Sequence, residues 1–240
     1  MKKFILLFLL LNIYFLQGQQ NGKVIYKIAF DEKAFDKELE NVEDPVLRNM
    51  IYNNKAKKLK RYEWAKEIPF ILKFNPNESI YYMEDILVPD NLSNRDLLRI
   101  KVNGRVLNKI YVNKKDSIIM FQYTALELGK LVRETKHFKD VKWKITPERD
   151  TILGYPVIKA TKGRAMAWFT PDIPVPFGPG DDVGLPGLIL KYQYNSNSIV
   201  AEKIIFSKKP IKIKIPTKGL LRTKKEGEEA RIKAFHKLER

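Results

Sequence analysis

The stretch AWFTPDIPVPFGPGDDVGLPGLIL, residues 167–190, carries five of the thirteen prolines in this 240-residue chain. Each proline fixes its own φ and removes a backbone donor, so the stretch predicts a stiff, extended crossover outside any strand ladder. Pro186 followed by Gly187 fits a type II turn, which requires a positive φ at Gly187. Residues 188–194 then alternate with period two, which predicts a strand that buries one face. That face would consist of Leu188, Leu190, Tyr192 and Tyr194.

Short alternating segments separated by turn-forming residues recur along the rest of the chain. Residues 23–30 predict the first strand, and hairpins are predicted within residues 69–83, 104–123, 150–170 and 188–207. Residues 211–215 alternate isoleucine with lysine between two prolines, which is typical of an edge strand. The pattern predicts a mainly β, α+β fold: a curved antiparallel sheet or partial barrel with one or two covering helices.

One long helix is predicted to start at Asp44 and Pro45, an N-cap acid followed by proline, and to run to about Lys66. Its opposite face is basic. A short helical piece is expected over residues 93–100. The apolar positions of the long helix, expected to be buried, are Val46, Leu47, Met50, Ile51, Leu59 and Tyr62.

The chain is expected to divide into three parts. Lys2 and Lys3 precede an apolar run over residues 4–16 that is shorter than the ~20 residues of a membrane span, so residues 1–20 are interpreted as a signal peptide, with an uncleaved anchor as the alternative. Residues 21–217 form a single β-rich domain. Residues 218–240 form a basic helical or frayed tail. The absence of cysteine excludes disulfides, thiol chemistry and cysteine-bound metal.

Residues 184–189 read GLPGLI, and the C-terminal half of the chain resembles the GLPGLI family of gram-negative envelope proteins. Two departures are the absence of the cysteine often found near Val157 and the Gly180-Asp181-Asp182 triplet. The resemblance implies a β-rich exported protein of the periplasm or outer-membrane periphery. The family has no established activity that the resemblance could suggest for this chain. The further matching segments are Ile152-Leu153-Gly154-Tyr155, Lys159-Ala160, Gly163-Arg164, Ala167-Trp168-Phe169-Thr170, Ile173-Pro174 and Gly178-Pro179.

Enzyme signatures are absent from the sequence. It has two histidines, His137 and His236, and lacks the HExxH, GxSxG and phosphate-loop motifs, so we expect neither an enzyme nor a cofactor or metal. Two alternative hypotheses assign a function to carboxylates on loops: glycoside hydrolysis by dispersed acidic residues, or a calcium site at Asp181 and Asp182.

The formal net charge of +17 indicates anionic partners or a solvated lysine-rich surface. For an exported protein those partners are lipopolysaccharide, acidic lipid head groups at a peripheral membrane contact or an acidic protein, and nucleic acid is not expected. Residues 208–240 contain twelve basic and four acidic residues.

Trp168 and Phe169 should point to opposite faces of their strand, so both faces are apolar there. A curved sheet with an apolar concave face is similar in outline to the periplasmic lipoprotein carriers, which bind acyl chains. The first hypothesis is therefore a protein that binds an apolar or amphipathic ligand, such as a lipid or lipoprotein. The alternative for the same residues is a purely structural role, as a rigid crossover in the core. The second is an accessory subunit of an outer-membrane transport or assembly system that docks through its basic tail and basic helix face.

The ligand rim predicted under the first hypothesis is Arg164, Trp168, Phe169, Pro174, Phe177, Gly184, Leu185, Pro186, Gly187, Leu188 and Ile189, with Arg164 as an anionic head-group contact.

Overall fold

Twelve strands form one open sheet in the computed structural model, which describes residues 21–85, 87, 91–125, 127–138 and 141–238. The strands are β1 (Gly22–Phe30), β2 (Phe70–Phe74), β3 (Glu78–Met83), β4 (Lys109–Asn113), β5 (Ile118–Ala125), β6 (Lys130–His137), β7 (Lys144–Ile152), β8 (Tyr155–Lys162), β9 (Ala165–Thr170), β10 (Leu188–Tyr194), β11 (Asn197–Phe206) and β12 (Leu220–Thr223).

The strand order is β12-β6-β5-β4-β3-β2-β1-β11-β10-β9-β8-β7, and the neighbours are antiparallel except for the parallel pair β12 and β6. The predicted mainly β fold is confirmed. The predicted signal peptide lies outside the described residues.

Five helices accompany the sheet in the described residues, more than the one or two expected: α1 (Glu32–Glu40), α2 (Pro45–Asn53), α3 (Lys55–Ala65), α4 (Asn94–Asn103) and α5 (Lys224–Leu238). The side chains of Asp31, Asp44 and Ser93 cap α1, α2 and α4 by accepting from backbone N–H groups in the first turn. The predicted long helix is divided at Asn54 into α2 and α3. The described helices are all too short or too polar to cross a membrane.

The hydrophobic core lies on one face of the sheet. Directly paired residues share a face, so the pairs Tyr26–Phe70, Tyr81–Ile110 and Ile110–Phe121 continue this face from β1 to β5. The crossover between β9 and β10 packs onto this face: the carbonyl of Phe177 in the crossover accepts from the N–H of Ile189 at 2.9 Å, and the carbonyl of Ile189 accepts from the hydroxyl of Tyr26 at 2.6 Å. The buried apolar residues of the crossover are Ile173, Val175, Phe177, Val183 and Leu185.

The turn predicted at Pro186 and Gly187 is wrong in its mechanism. Gly187 does not have a positive φ, whereas Gly184 does, at 94°. A Cβ on Gly187 would instead lie 2.1 Å from the carbonyl oxygen of Thr170. Glycine is therefore required at position 187 because the backbone passes too close to the end of β9 for any side chain.

The predicted buried face of β10 is also partly wrong. Tyr194 is 44% exposed, and Ile189, expected on the other face, is fully buried. The pairing of β10 with β9 shifts register between Ile189 and Lys191, and the crossover covers the face that the alternation left open. A local two-residue period does not record such a shift.

Residues 211–215 do not form the predicted edge strand. Two asparagine side chains bind the backbone of Ile211 instead: its N–H donates to Asn21 at 3.4 Å, and Asn75 donates to its carbonyl at 3.1 Å. The edges of the described sheet are β12 and β7.

The apolar stripe predicted for the long helix is wrong over α2. Val46 is 78% exposed, Leu47 42% and Met50 56%, and α2 has no buried residue. Tyr62, on α3, is buried as predicted. The stripe is interrupted because the chain changes helix at Asn54.

The segment predicted as a helical or frayed tail from residue 218 begins with a strand. Its first ordered element, β12, pairs with β6, and Leu220 lies opposite Val132. Helix α5 follows directly. This strand was missed because its pairing joins residues almost ninety positions apart.

Candidate functional site

A cavity of about 860 Å³ lies where the core face of the sheet continues onto β4, β5 and β6. Ile110, Phe121 and Glu134 stand opposite one another on these three strands, so they line the same wall. The C-terminal end of α4 and the segment after it form a second wall, with Val102, Val106 and Leu107. Most of the cavity surface is thus apolar.

The mouth of this cavity is apolar as well. Val102 is 57% exposed and Leu107 42% exposed, although both line the cavity. Gly104 ends α4 between them, where a Cβ would lie 1.9 Å from the ring of Phe70. The next residue, Arg105, has a φ of 60° and turns the chain back towards the sheet. This sharp turn presents both aliphatic side chains at the opening.

One end of the cavity carries a compact group of charges, which we call the Asp181–Asp182 cluster: the carboxylates of Asp181 and Asp182 with the cations of Arg105, Lys136 and Lys162. Nη2 of Arg105 lies 2.6 Å from Asp181 and 2.7 Å from Asp182. Lys136 pairs with Asp181, and Lys162 pairs with Asp182, which is 1% exposed. Three cations thus surround two carboxylates.

The cluster keeps the carboxylate of Asp181 ionised. Burial alone would raise the pKa of Asp181, but the positive charges of Arg105 and Lys136 outweigh it and lower that pKa to about 2. The two carboxylates of the alternative calcium hypothesis, Asp181 and Asp182, therefore already have three protein cations as counter-charges. The described residues contain no group of three side chains able to hold a metal ion.

The other end is closed by a second group, which we call the Arg222 cluster. Nη2 of Arg222, on β12, lies 2.7 Å from both Glu127 and Glu134, and all three side chains are less than 10% exposed. Arg231, on α5, reaches Glu134 at 3.1 Å and donates to the hydroxyl of Tyr123 at 2.9 Å. Two cations balance two carboxylates here.

Helix α5 lies directly against this second cluster. A Cβ on Gly227 would lie 1.8 Å from Oε1 of Glu134, so the helix approaches the sheet closely at this glycine. Lys224 and Arg231 of α5 both line the cavity. The C-terminal segment is therefore one wall of the cavity.

The residues of the predicted ligand rim do not line this cavity. Phe169, Phe177, Leu185, Leu188 and Ile189 are at most 1% exposed and belong to the core, and Gly187 packs against Thr170. Pro174 is half-buried, and Gly184 and Pro186 are exposed. The residue of the crossover that does line the cavity is Asp181.

Trp168 and Arg164 lie apart from the large cavity. Trp168 is half-buried on the face opposite Phe169, with the ammonium groups of Lys191 and Lys159 at 4.5 and 5.8 Å from its ring centre. Arg164 lines a second cavity of about 570 Å³ together with Phe35 of α1.

Sequence reasoning did not identify the charged side chains of the candidate site, which the fold brings together from distant segments: Arg105, Lys136, Glu134 and Arg222. One signal was available. Asp181 and Asp182 follow a stretch of apolar residues, and a carboxylate buried in such surroundings requires a cationic partner.

Three comparisons with known proteins place this geometry in context. A family model described as a protein of unknown function (Porph_ging) matches residues 162–191, the stretch from the end of β8 into β10. No curated protein matches the chain. Two crystal structures of PNGF-II are similar in fold, each with a TM-score of 0.52 and 16% identity over 90% of this chain. They are matched over 34% and 33% of their own chains, so this chain spans about a third of their length.

Proposed function

We propose that this chain is a non-enzymatic binding protein of the cell envelope that holds an amphipathic ligand in the cavity between α4, β4, β5 and α5. The observation that carries the proposal is the cavity itself, about 860 Å³ in volume, with apolar walls and charged groups at its ends. Ligand sites in proteins are typically ~300–1,000 Å³ and combine apolar walls with a few placed polar groups.

The exposed mouth supports a ligand that enters from solvent or from another apolar surface. Val102 and Leu107 present aliphatic carbon at the opening, where it would contact the apolar part of an entering ligand. The proline-rich crossover then acts as support: its Asp181 and Asp182 fix Arg105 and Lys136 at the inner end.

The envelope location rests on the basic and apolar N-terminal run and on the GLPGLI resemblance of the C-terminal half. A net charge of +17 suits the anionic surfaces of that compartment.

A pair of substitutions on α4 tests the site. Val102→Trp places a large ring at the mouth of the cavity, whereas Leu98→Trp places the same ring one helical turn earlier, at a residue that is 47% exposed and outside the cavity lining. Binding of the neutral dye Nile red, followed by its fluorescence, should weaken by about ten-fold for Val102→Trp, the equivalent of ~1.4 kcal/mol, and stay within about two-fold for Leu98→Trp. Equal effects of the two variants, or no dye binding by the wild-type protein, would show that this cavity is not the site.

A further inference from the structure

The two charged ends of the cavity differ in their balance of charge. In the Arg222 cluster, two arginines face two glutamates, and Nε and Nη2 of Arg222 are both bound to protein acceptors. In the Asp181–Asp182 cluster, three cations face two carboxylates, so one positive charge is left without a protein counter-charge.

Individual donors in the Asp181–Asp182 cluster also lack acceptors. Nε of Arg105 is buried and has no hydrogen-bond partner among the described residues; Oδ2 of Asp182 also lacks a hydrogen bond, but it lies 2.7 Å from Nη2 of Arg105 as an ion pair. Lys136 uses one of its three N–H groups on Asp181. A donor without an acceptor is costly in such surroundings, and the remaining N–H groups of Lys136, whose side chain is 19% exposed, are the donors that a ligand oxygen can reach.

Lys136 also joins the charged end to the apolar wall. Its ammonium group lies 5.4 Å from the ring centre of Phe121, and both residues line the cavity. A ligand chain that lay over Phe121 would therefore bring its head group to Lys136 and Arg105. Lys162 belongs to the same cluster but is not part of the cavity lining.

We infer that the ligand is an anionic amphiphile whose head group binds between Lys136 and Arg105 while its apolar part lies over Phe121 and Ile110. This inference rests on the proposed function, because it assigns the chemical class of the ligand to the same cavity. The head group supplies the missing counter-charge, and a carboxylate or a phosphate has the required acceptors.

Calorimetric titration with four amphiphiles of one chain length, all below their micelle concentrations, tests the charge. The probes are dodecanoate, dodecyl phosphate, dodecanol and dodecyltrimethylammonium. The two anions should bind at least about ten-fold more tightly than the alcohol, and the cation should bind most weakly. The ratio between the two anions distinguishes a carboxylate site from a phosphate site.

Variants of two lysines test the position of the head group. Lys136→Met should weaken dodecanoate binding by about ten-fold and leave dodecanol unchanged, since it removes the ammonium group but keeps a chain of similar length. Lys136→Arg should retain most of the affinity. Lys162→Met removes the same charge from the same cluster outside the lining, and should change dodecanoate binding by less than about two-fold. Thermal unfolding checks that each variant is folded.

The possible results separate a failure of the proposed binding site from a failure of the proposed ligand class or head-group position. If none of the four amphiphiles binds, the proposed function and this inference are both wrong. If they bind with equal affinity, the cavity remains a binding site but the anionic class is overturned. If Lys162→Met weakens dodecanoate as much as Lys136→Met, the head group does not lie at Lys136.

Discussion

Gly187 lies where the crossover returns against the end of β9, and the space beside it is closed by backbone. A Cβ there would lie 2.1 Å from the carbonyl oxygen of Thr170. We predict that Gly187→Ala lowers the free energy of unfolding by about 3 kcal/mol or more, because backbone cannot yield as a side chain can. Gly163→Ala is the control: its φ is 58° with open space around it, so only conformational strain of ~1 kcal/mol applies. Urea unfolding measures both, and equal losses would contradict the steric explanation.

Asp181 gives a prediction for acid pH. Its pKa in the folded protein is about 2, below its ordinary value of 3.8, because of the neighbouring cations. The carboxylate therefore stabilises the folded state fully above about pH 5, and this contribution, about 2 kcal/mol, disappears as the pH falls through about 2.

The measurement compares the wild-type protein with Asp181→Asn by urea unfolding between about pH 6 and pH 2. The variant should be less stable by about 2 kcal/mol at the upper end, and the difference should shrink towards the lower end. A difference that is independent of pH would show that the ion pairs of Asp181 do not shift its pKa.

At the scale of elements, β12 and α5 depend on one buried arginine. Arg222 is about 7% exposed and binds Glu127, Glu134 and the hydroxyl of Tyr123. We predict that Arg222→Met costs about 3 kcal/mol, because it leaves two buried carboxylates with less compensation. Lys225→Met is the matched control, since Lys225 is 85% exposed and 3.9 Å from Glu229.

Hydrogen exchange locates the effect. In Arg222→Met, the amides of residues 220–238 should exchange faster than in the wild-type protein, whereas those of β10 should change less. In Lys225→Met, the free energy of opening should stay within about 0.5 kcal/mol of the wild-type value in both regions. Unchanged protection of β12 in Arg222→Met would mean that the strand is held by its pairing with β6 alone.

Elements joined by short turns were predictable from the sequence. The hairpins across Asn75-Pro76-Asn77, Lys162-Gly163 and Asn195-Ser196-Asn197 are present, because the turn residues and the alternation that specify them are adjacent in the chain. Helix α2 shows the limit of this reasoning: periodicity identifies its apolar face but carries no information on whether another element covers it.

At the scale of the whole molecule, the cavity depends on contacts that no local pattern records. Arg105 meets Asp181, and Glu134 meets Arg222, across 76 and 88 positions of the chain. The predicted fold class followed from many local signals that agree, whereas the candidate site required the global order of the strands, including the parallel pairing of β12 with β6. The crossover has the sequence of a ligand rim, but it packs mainly as core.

The position of a bound ligand tests the proposed cavity most directly. Methyl-labelled protein and dodecanol can be examined by NMR for nuclear Overhauser contacts between the ligand chain and individual side chains. We predict contacts to Ile110 and Val106, which line the cavity, and none to Ile173 or Ile199, which are fully buried in the core. Contacts confined to the surface around Trp168, or a bound ligand without contacts to Ile110 and Val106, would contradict the central claim.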